Sequence, residues 1–193
     1  MIKTKNKIRI IGITGGVGAG KTTLSEYIKK KIDAEVLNTD LFSKPKKEWK
    51  GLNPSSTRFD VLEKVLKDLK SGKPTSYSPF IKKTGKLSRV RRALYPKRVI
   101  IIEGILPFQN KRIRKLLDIG FYLDLPQEKR YQRRQKKYRR EDLHKTHYAS
   151  REFFNNTIVP SHKRYTSPLK KEFIVVKSNQ KPAKIFSKIK RYL

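Results

Sequence analysis

Cysteine is absent from the 193 residues, which excludes disulfides and thiolate metal sites and accords with a reducing compartment. Acidic residues are scarce: 16 Asp and Glu stand against 49 Lys and Arg, for a formal charge of +33. Such an excess attracts polyanions, whether nucleotides, nucleic acid or anionic lipid. Spread along nearly the whole chain, it reads equally as a compositional surplus of solvated lysines. No stretch approaches the roughly 20 apolar residues that span a bilayer. The N-terminal run MIKTKNKIRIIGIT lacks the apolar length and the small-residue cleavage site of a signal peptide. The expectation is a cytoplasmic protein off the membrane, with homo-oligomerisation left open. No internal repeat is visible. Hydrophobic content of 36% is low and charged content of 34% is high, but the apolar residues come in organised runs, so a single folded domain over 1–193 is expected rather than disorder.

Those runs alternate between strand and helix. Ile8–Thr14 is a β-branched run ending in glycines, and Lys21–Lys31 has Leu24 and Ile28 at helical spacing. Ala34–Thr39 reads as a strand, and Asp60–Leu69 as an amphipathic helix stopped by Gly72 and Pro74. Val99–Ile102 is apolar on both faces, as a buried parallel strand should be. A helix at Asn110–Leu117, a strand at Gly120–Leu125 and a basic helix opened by Pro126 as its first residue follow. A strand at Glu172–Val176 and a helix opened by Pro182 end the chain. Strands separated by helices predict an α/β fold with a parallel sheet covered on both faces. Ser43–Phe59, Ser71–Arg91 and Arg139–Phe153 look irregular, and long loops are where acceptor contacts and a lid are expected.

Gly15-Gly16-Val17-Gly18-Ala19-Gly20-Lys21-Thr22 matches G-x-x-x-x-G-K-[ST] and sits between a strand and a helix. The glycines let backbone N–H groups turn around a phosphate, and the helix start presents its positive dipole end. Lys21 is expected at the β/γ-phosphates and Thr22 on Mg²⁺. Neither N/T-K-x-D nor a D-x-x-G switch is present, so the loop marks ATP or GTP as a bound substrate without marking a GTPase. Asp40 and Glu103 each close a strand, where ligands of parallel sheets bind. Asp40 suits a base or orienter for an acceptor hydroxyl, and Glu103 suits the metal side. From Lys129 to Arg140 eight of twelve residues are basic, a density that favours a helix only when anions neutralise it. Phosphates of ATP, a nucleic-acid stripe with Tyr131 and Tyr138 stacking, and a solvated face are the three readings.

Together these strings resemble the uridine kinase and phosphoribulokinase group of P-loop kinases. The strings are GITGGVGAGKTTL, LNTDLF, Trp49 to Asp60, LKSGKP, IIIEGIL, FYLDLPQEKRYQRR and TIVPSHKRYTSP. The resemblance implies a P-loop NTPase-type five-stranded parallel core with a basic helical lid at about 126–158, Mg-ATP as donor, and transfer to a primary hydroxyl of a small molecule, with a uridine/cytidine kinase-like activity preferred. It implies Asp40, Lys21 and Arg134 in catalysis, and Thr22 with Glu103 at the metal. Nucleotide contacts are implied for Gly15 through Thr23, Arg130, Lys137 and Asn179, and acceptor contacts for Asp40, Phe59 and Tyr77. The chain departs from the group's pattern at Asn53, which replaces a His, at Lys137-Tyr138, and after Tyr77-Ser78-Pro79-Phe80, where lysines replace a His. Those departures keep phosphoribulokinase-like and pantothenate kinase-like acceptors open. A basic nucleic-acid-associated P-loop protein is the alternative from another class.

Overall fold

The computed structural model describes residues 7–49 and 53–193; the first lysines and residues 50–52, just inside the Trp49 to Asp60 string, lie outside the described residues. Five strands form one parallel sheet: β1 (Arg9–Gly15), β2 (Ala34–Asn38), β3 (Val99–Glu103), β4 (Ile119–Asp124) and β5 (Ile174–Lys177), in the order β2-β3-β1-β4-β5. β1 and β3 are buried on both faces because each has a strand on either side and helices above and below. Their β-branched residues suit that position. Ile10 pairs with Ile100 and Ile11 with Ile101, so successive residues feed opposite layers.

One layer receives Ile10, Ile100 and Ile102 beneath α2 (Phe59–Lys70) and α3 (Lys111–Leu116). Leu62, Val65, Leu66 and Leu69 recur at helical spacing on α2 and are all buried there; each such side chain contributes about 1.5–3 kcal/mol. The other layer receives Ile11, Ile13 and Ile101 beneath α1 (Lys21–Lys29) and the C-terminal helix, Pro182–Ile189. The expected α/β sheet covered on both faces is therefore present.

Four boundaries and segments differ from expectation. Pro126 is the N-cap of α4 (Gln127–Arg140) rather than its first residue. β5 starts at Ile174, two residues late, because Glu172 N and Phe173 N are bonded back to Leu169 O in a preceding turn. Residues 71–94 are not irregular: they hold two short antiparallel ladders, 75–77 with 92–94 and 80–81 with 86–87. Residues 151–166 form a helical run, α5, whose turns at 154–158 and 162–166 are π-type. Pro160 lies between those turns and cannot donate an i→i−4 bond, so the helix continues with widened turns on either side.

Candidate active site

The loop between β1 and α1 turns tightly because Gly18 (φ 82°) and Gly20 (φ 97°) adopt left-handed conformations that disfavour any other residue. Lys21, at the first position of α1, folds its buried side chain back over the loop. Its Nζ donates to Gly15 O at 3.0 Å and Gly16 O at 3.1 Å. Burial lowers the Lys21 pKa; Glu103 and Asp40 oppose that shift, and Arg130 and Lys137 reinforce it. Val17, at the loop tip, packs against the cluster of Phe154, Ile158 and Val159 of α5, which Tyr131 of α4 and Phe153 also cover. Thr22 and Thr23 are exposed toward the open side.

β2 and β3 run side by side with Asn38 opposite Glu103, so the acids that end them reach the same edge of the sheet. Glu103 is 2% exposed. Its Oε1 accepts from Thr22 Oγ1 at 3.0 Å and its backbone O accepts from Thr39 Oγ1 at 3.0 Å. Burial raises the Glu103 pKa, opposed by Lys21 and the Thr22 hydrogen bond. Asp40 follows on a 3-10 turn, Thr39–Phe42, capped by Asn38, whose Oδ1 accepts from Asp40 N at 2.8 Å. An Asx cap of this kind holds the strand-end acid in place. Asp40 Oδ2 is ion-paired with Lys82 Nζ at 3.0 Å. Lys82 was not singled out from the sequence; the lysines after Phe80 were its only signal.

α4 lays one face across the loop. Arg130 is 3% exposed, and a Cβ on Gly16 would overlap its Nη1 while one on Gly18 would overlap its backbone O. Both glycines are thus needed for helix and loop to touch. Arg130 Nε and Nη1 are buried without a hydrogen-bond partner among the described residues, and burial lowers the pKa of the guanidinium. An orphaned, buried cation beside a phosphate-type loop suits an anion, because each unsatisfied donor costs about 1–3 kcal/mol until one arrives.

The other expected contacts divide. Arg134, expected in catalysis, is engaged elsewhere: it donates to Tyr148 O and lies over the Tyr138 ring at 4.4 Å. The neighbouring Arg133 bridges instead, donating to Ser178 O at 3.0 Å and Ala19 O at 3.4 Å. A cleft of about 690 Å³ opens between the loop, α4 and the start of the last helix, within the range of a nucleotide pocket. Lys137 lines it, as do Arg133, Ser178 and Gln180, whereas Asn179 does not. Tyr77 is buried in the core, its ring stacked on Phe42 at 4.2 Å, and Phe59 packs against the same core. Tyr77 thus supports the Asp40 turn from within the core rather than facing the opening. Beneath Arg130, the Tyr122 hydroxyl and His162 Nε2 are 2.8 Å apart. Burial pushes His162 down to about 4 and Tyr122 up to about 12. The V-P-S-H string had marked that histidine without assigning it a partner.

Thr22 and Glu103 offer only oxygen ligands, which fits Mg²⁺, an ion bound through one or two protein groups plus substrate phosphates. Among the described residues no cluster of three or more His, Cys, Asp or Glu could hold a metal by itself. No helix among them is long and apolar enough to cross a membrane.

Residues 39–172 match the model of the Phosphoribulokinase / Uridine kinase family. The chain is 30% identical over 173 residues to a uridine kinase of Staphylococcus aureus, covering 84% of this chain and 83% of that protein. It is 29% identical over 182 residues to one of Staphylococcus epidermidis, covering 89% and 87%. Among solved structures, a possible uridine kinase from Bacillus stearothermophilus superposes with a TM-score of 0.62 at 20% identity, covering 91% of both chains. A shikimate kinase from Acinetobacter baumannii superposes with a TM-score of 0.54 at 17% identity, covering 98% and 95%; at such identities the likeness is one of fold.

Proposed function

The chain belongs to the phosphoribulokinase/uridine kinase family, and from that premise we propose that it transfers the γ-phosphate of ATP to the primary hydroxyl of a nucleoside of the uridine or cytidine type. The observation that carries this reading is the convergence of Lys21, Asp40 and Glu103 at one sheet edge beside the phosphate loop. The backbone of Gly15–Gly20, with Thr22 and Thr23, cradles the phosphates, and Lys21 leaves its resting carbonyl contacts to pair with them. Arg130 donates to the phosphates from α4, and Arg133 and Lys137 line the donor cleft. Thr22 and Glu103 hold Mg²⁺, which supplies charge neutralisation on the phosphates when bound. Asp40 accepts the proton of the acceptor hydroxyl and aims that oxygen at the phosphorus. Residues 126–158 act as a lid that excludes water from the transfer, and the enzyme works in the cytoplasm.

A coupled ADP-release assay tests the reading across uridine, cytidine, ribulose 5-phosphate, pantothenate and nicotinamide riboside. Turnover with uridine or cytidine well above the water background is expected. Preference for ribulose 5-phosphate or pantothenate would move the acceptor within the family, and no stimulation by any acceptor would end the small-molecule kinase reading.

A further inference from the structure

In the free chain the carboxylate read as the base already has a partner. Lys82 Nζ sits 3.0 Å from Asp40 Oδ2, with side-chain exposures of 72% and 54%. Ion pairs this exposed add little to stability. Yet Lys82 is delivered by a built element. The 80–81/86–87 hairpin is anchored by buried Phe80, whose ring lies 5.5 Å from that of Trp49. It is tied to the neighbouring segment by Lys46 N donating to Gly85 O at 2.8 Å and closed by Ser88 N donating to Pro79 O at 2.8 Å. Asp40 raises the Lys82 pKa most, and Tyr138 of α4 and Glu103 of β3 raise it further. Glu103 in turn is influenced by Lys82. The ammonium therefore sits at the base, on the sheet edge where Glu103 ends β3 opposite Asn38, and Lys21 interacts with the same two carboxylates.

Resting on the phosphoryl-transfer reading above, we propose that Lys82 is a further catalytic residue: it passes from Asp40 to the oxygens of the transferring phosphoryl group as Asp40 takes up the acceptor's proton. The acceptor O–H bond breaks and its proton goes to an Asp40 oxygen. The acceptor oxygen bonds to the γ-phosphorus, and the bond from that phosphorus to the bridging oxygen breaks, leaving its electron pair on ADP. Protonation cancels the Asp40 charge that held Lys82. At the same moment a phosphate monoester forms beside it. The cation is released at one point and attracted at the next, with no net change in the number of charges it must face. Lysine suits this exchange because its ammonium is a compact point charge with three rotatable donors on a flexible stem.

The test compares the wild type with Lys82→Met and Lys82→Arg, using whichever acceptor the panel identifies. The pair is exposed, so both variants should keep the wild-type melting temperature. Lys82→Met is expected to lower kcat about 30- to 100-fold, with the acceptor KM and ATP Kd within about threefold of wild type, and Lys82→Arg to recover about a tenth or more of the activity. An unchanged kcat, or a loss confined to the acceptor KM, overturns the proposal while leaving the kinase reading intact. If the wild type phosphorylates no acceptor, that reading has failed, and Lys82 is judged by titrating ADP with and without aluminium fluoride in the presence of Mg²⁺. Selective weakening of the fluoride complex by about tenfold in Lys82→Met supports the cation's role at the phosphoryl position, and equal affinities overturn it.

Discussion

Thr22 Oγ1 donates to Glu103 Oε1 at 3.0 Å, joining the first turn of α1 to the last residue of β3 across 81 positions of sequence. The pair brings a hydroxyl and a carboxylate to the mouth of the phosphate loop. Burial makes the carboxylate costly to keep charged there, and Lys21 offsets part of that cost. A divalent cation would relieve the remainder. Glu103→Gln keeps the size and can still accept from Thr22, so the fold should persist. Its Mg²⁺ requirement should rise about tenfold or more and kcat should fall about 10²-fold. A Mg²⁺ titration of initial rates reads both effects; a wild-type Mg²⁺ curve would remove Glu103 from the metal side.

Asp40→Asn leaves the Asn38 cap intact, since that bond uses the Asp40 backbone N–H. Turnover should fall about 10²-fold or more, with the ATP Kd nearly unchanged. Steady-state kinetics beside calorimetric ATP titration separates the two quantities, and undiminished turnover would strip Asp40 of the base role.

Arg130 and Arg134 are one helical turn apart but differ in surroundings: Arg130 faces the loop with two unpartnered nitrogens, and Arg134 bonds Tyr148 O. Arg130→Met should weaken ATP about tenfold or more without lowering the melting temperature, because no protein hydrogen bond of Nε or Nη1 is lost. Arg134→Met should do the reverse, lowering thermal stability and leaving ATP affinity near wild type. Titrations on both variants decide the assignment. Should Arg134→Met be the one that loses ATP, α4 must reorient when nucleotide binds.

Gly18→Ala places a Cβ at φ 82° and against the Arg130 backbone carbonyl. A left-handed Ala costs about 1–2 kcal/mol, and backbone cannot yield as a side-chain tip can. The ATP KM should rise at least about tenfold while circular dichroism stays native. Wild-type KM would mean that loop and helix separate freely.

His162 lies beside Tyr122 with its pKa pushed from 6.5 down to about 4, chiefly by burial, then by Arg130, Lys170 and Lys21. The unfolded chain therefore binds more protons than the folded one between those two values, so stability from this site is fully present above 6.5 and is lost as pH falls toward 4. His162→Gln should flatten the drop in melting temperature across that window relative to wild type, measured by differential scanning fluorimetry. Parallel curves for the two proteins would show that His162 is protonated in the folded state as readily as in the unfolded one.

Much of the fold can be read from the residues in order. The glycine string between a β-branched run and a helical repeat fixes a loop with positive φ at Gly18 and Gly20, because only glycine enters those conformations freely. Leu62, Val65, Leu66 and Leu69 show which face of α2 is buried, since period and burial are the same signal. α5 has no comparable local signal, because Pro160 and the polar Asn155 and Asn156 interrupt its apolar period, whereas packing of Tyr131 and Val17 on Phe154, Ile158 and Val159 sustains the helix through them.

The phosphate loop, the alternation of strands and helices, and the acids at strand ends were determined by sequence alone, because each follows from local backbone preference and side-chain periodicity. The eight basic residues of Lys129 to Arg140 carry the same charge, and nothing local distinguishes them. Docking of α4 on the loop decided that Arg130 faces Gly16, that Arg133 reaches Ser178 and that Arg134 turns to Tyr148. The partner of Asp40 was decided in the same way. Lys82 lies 42 residues along the chain, and it meets Asp40 only because a hairpin held by Phe80 carries it there; contacts between distant segments depend on packing, which no local pattern encodes.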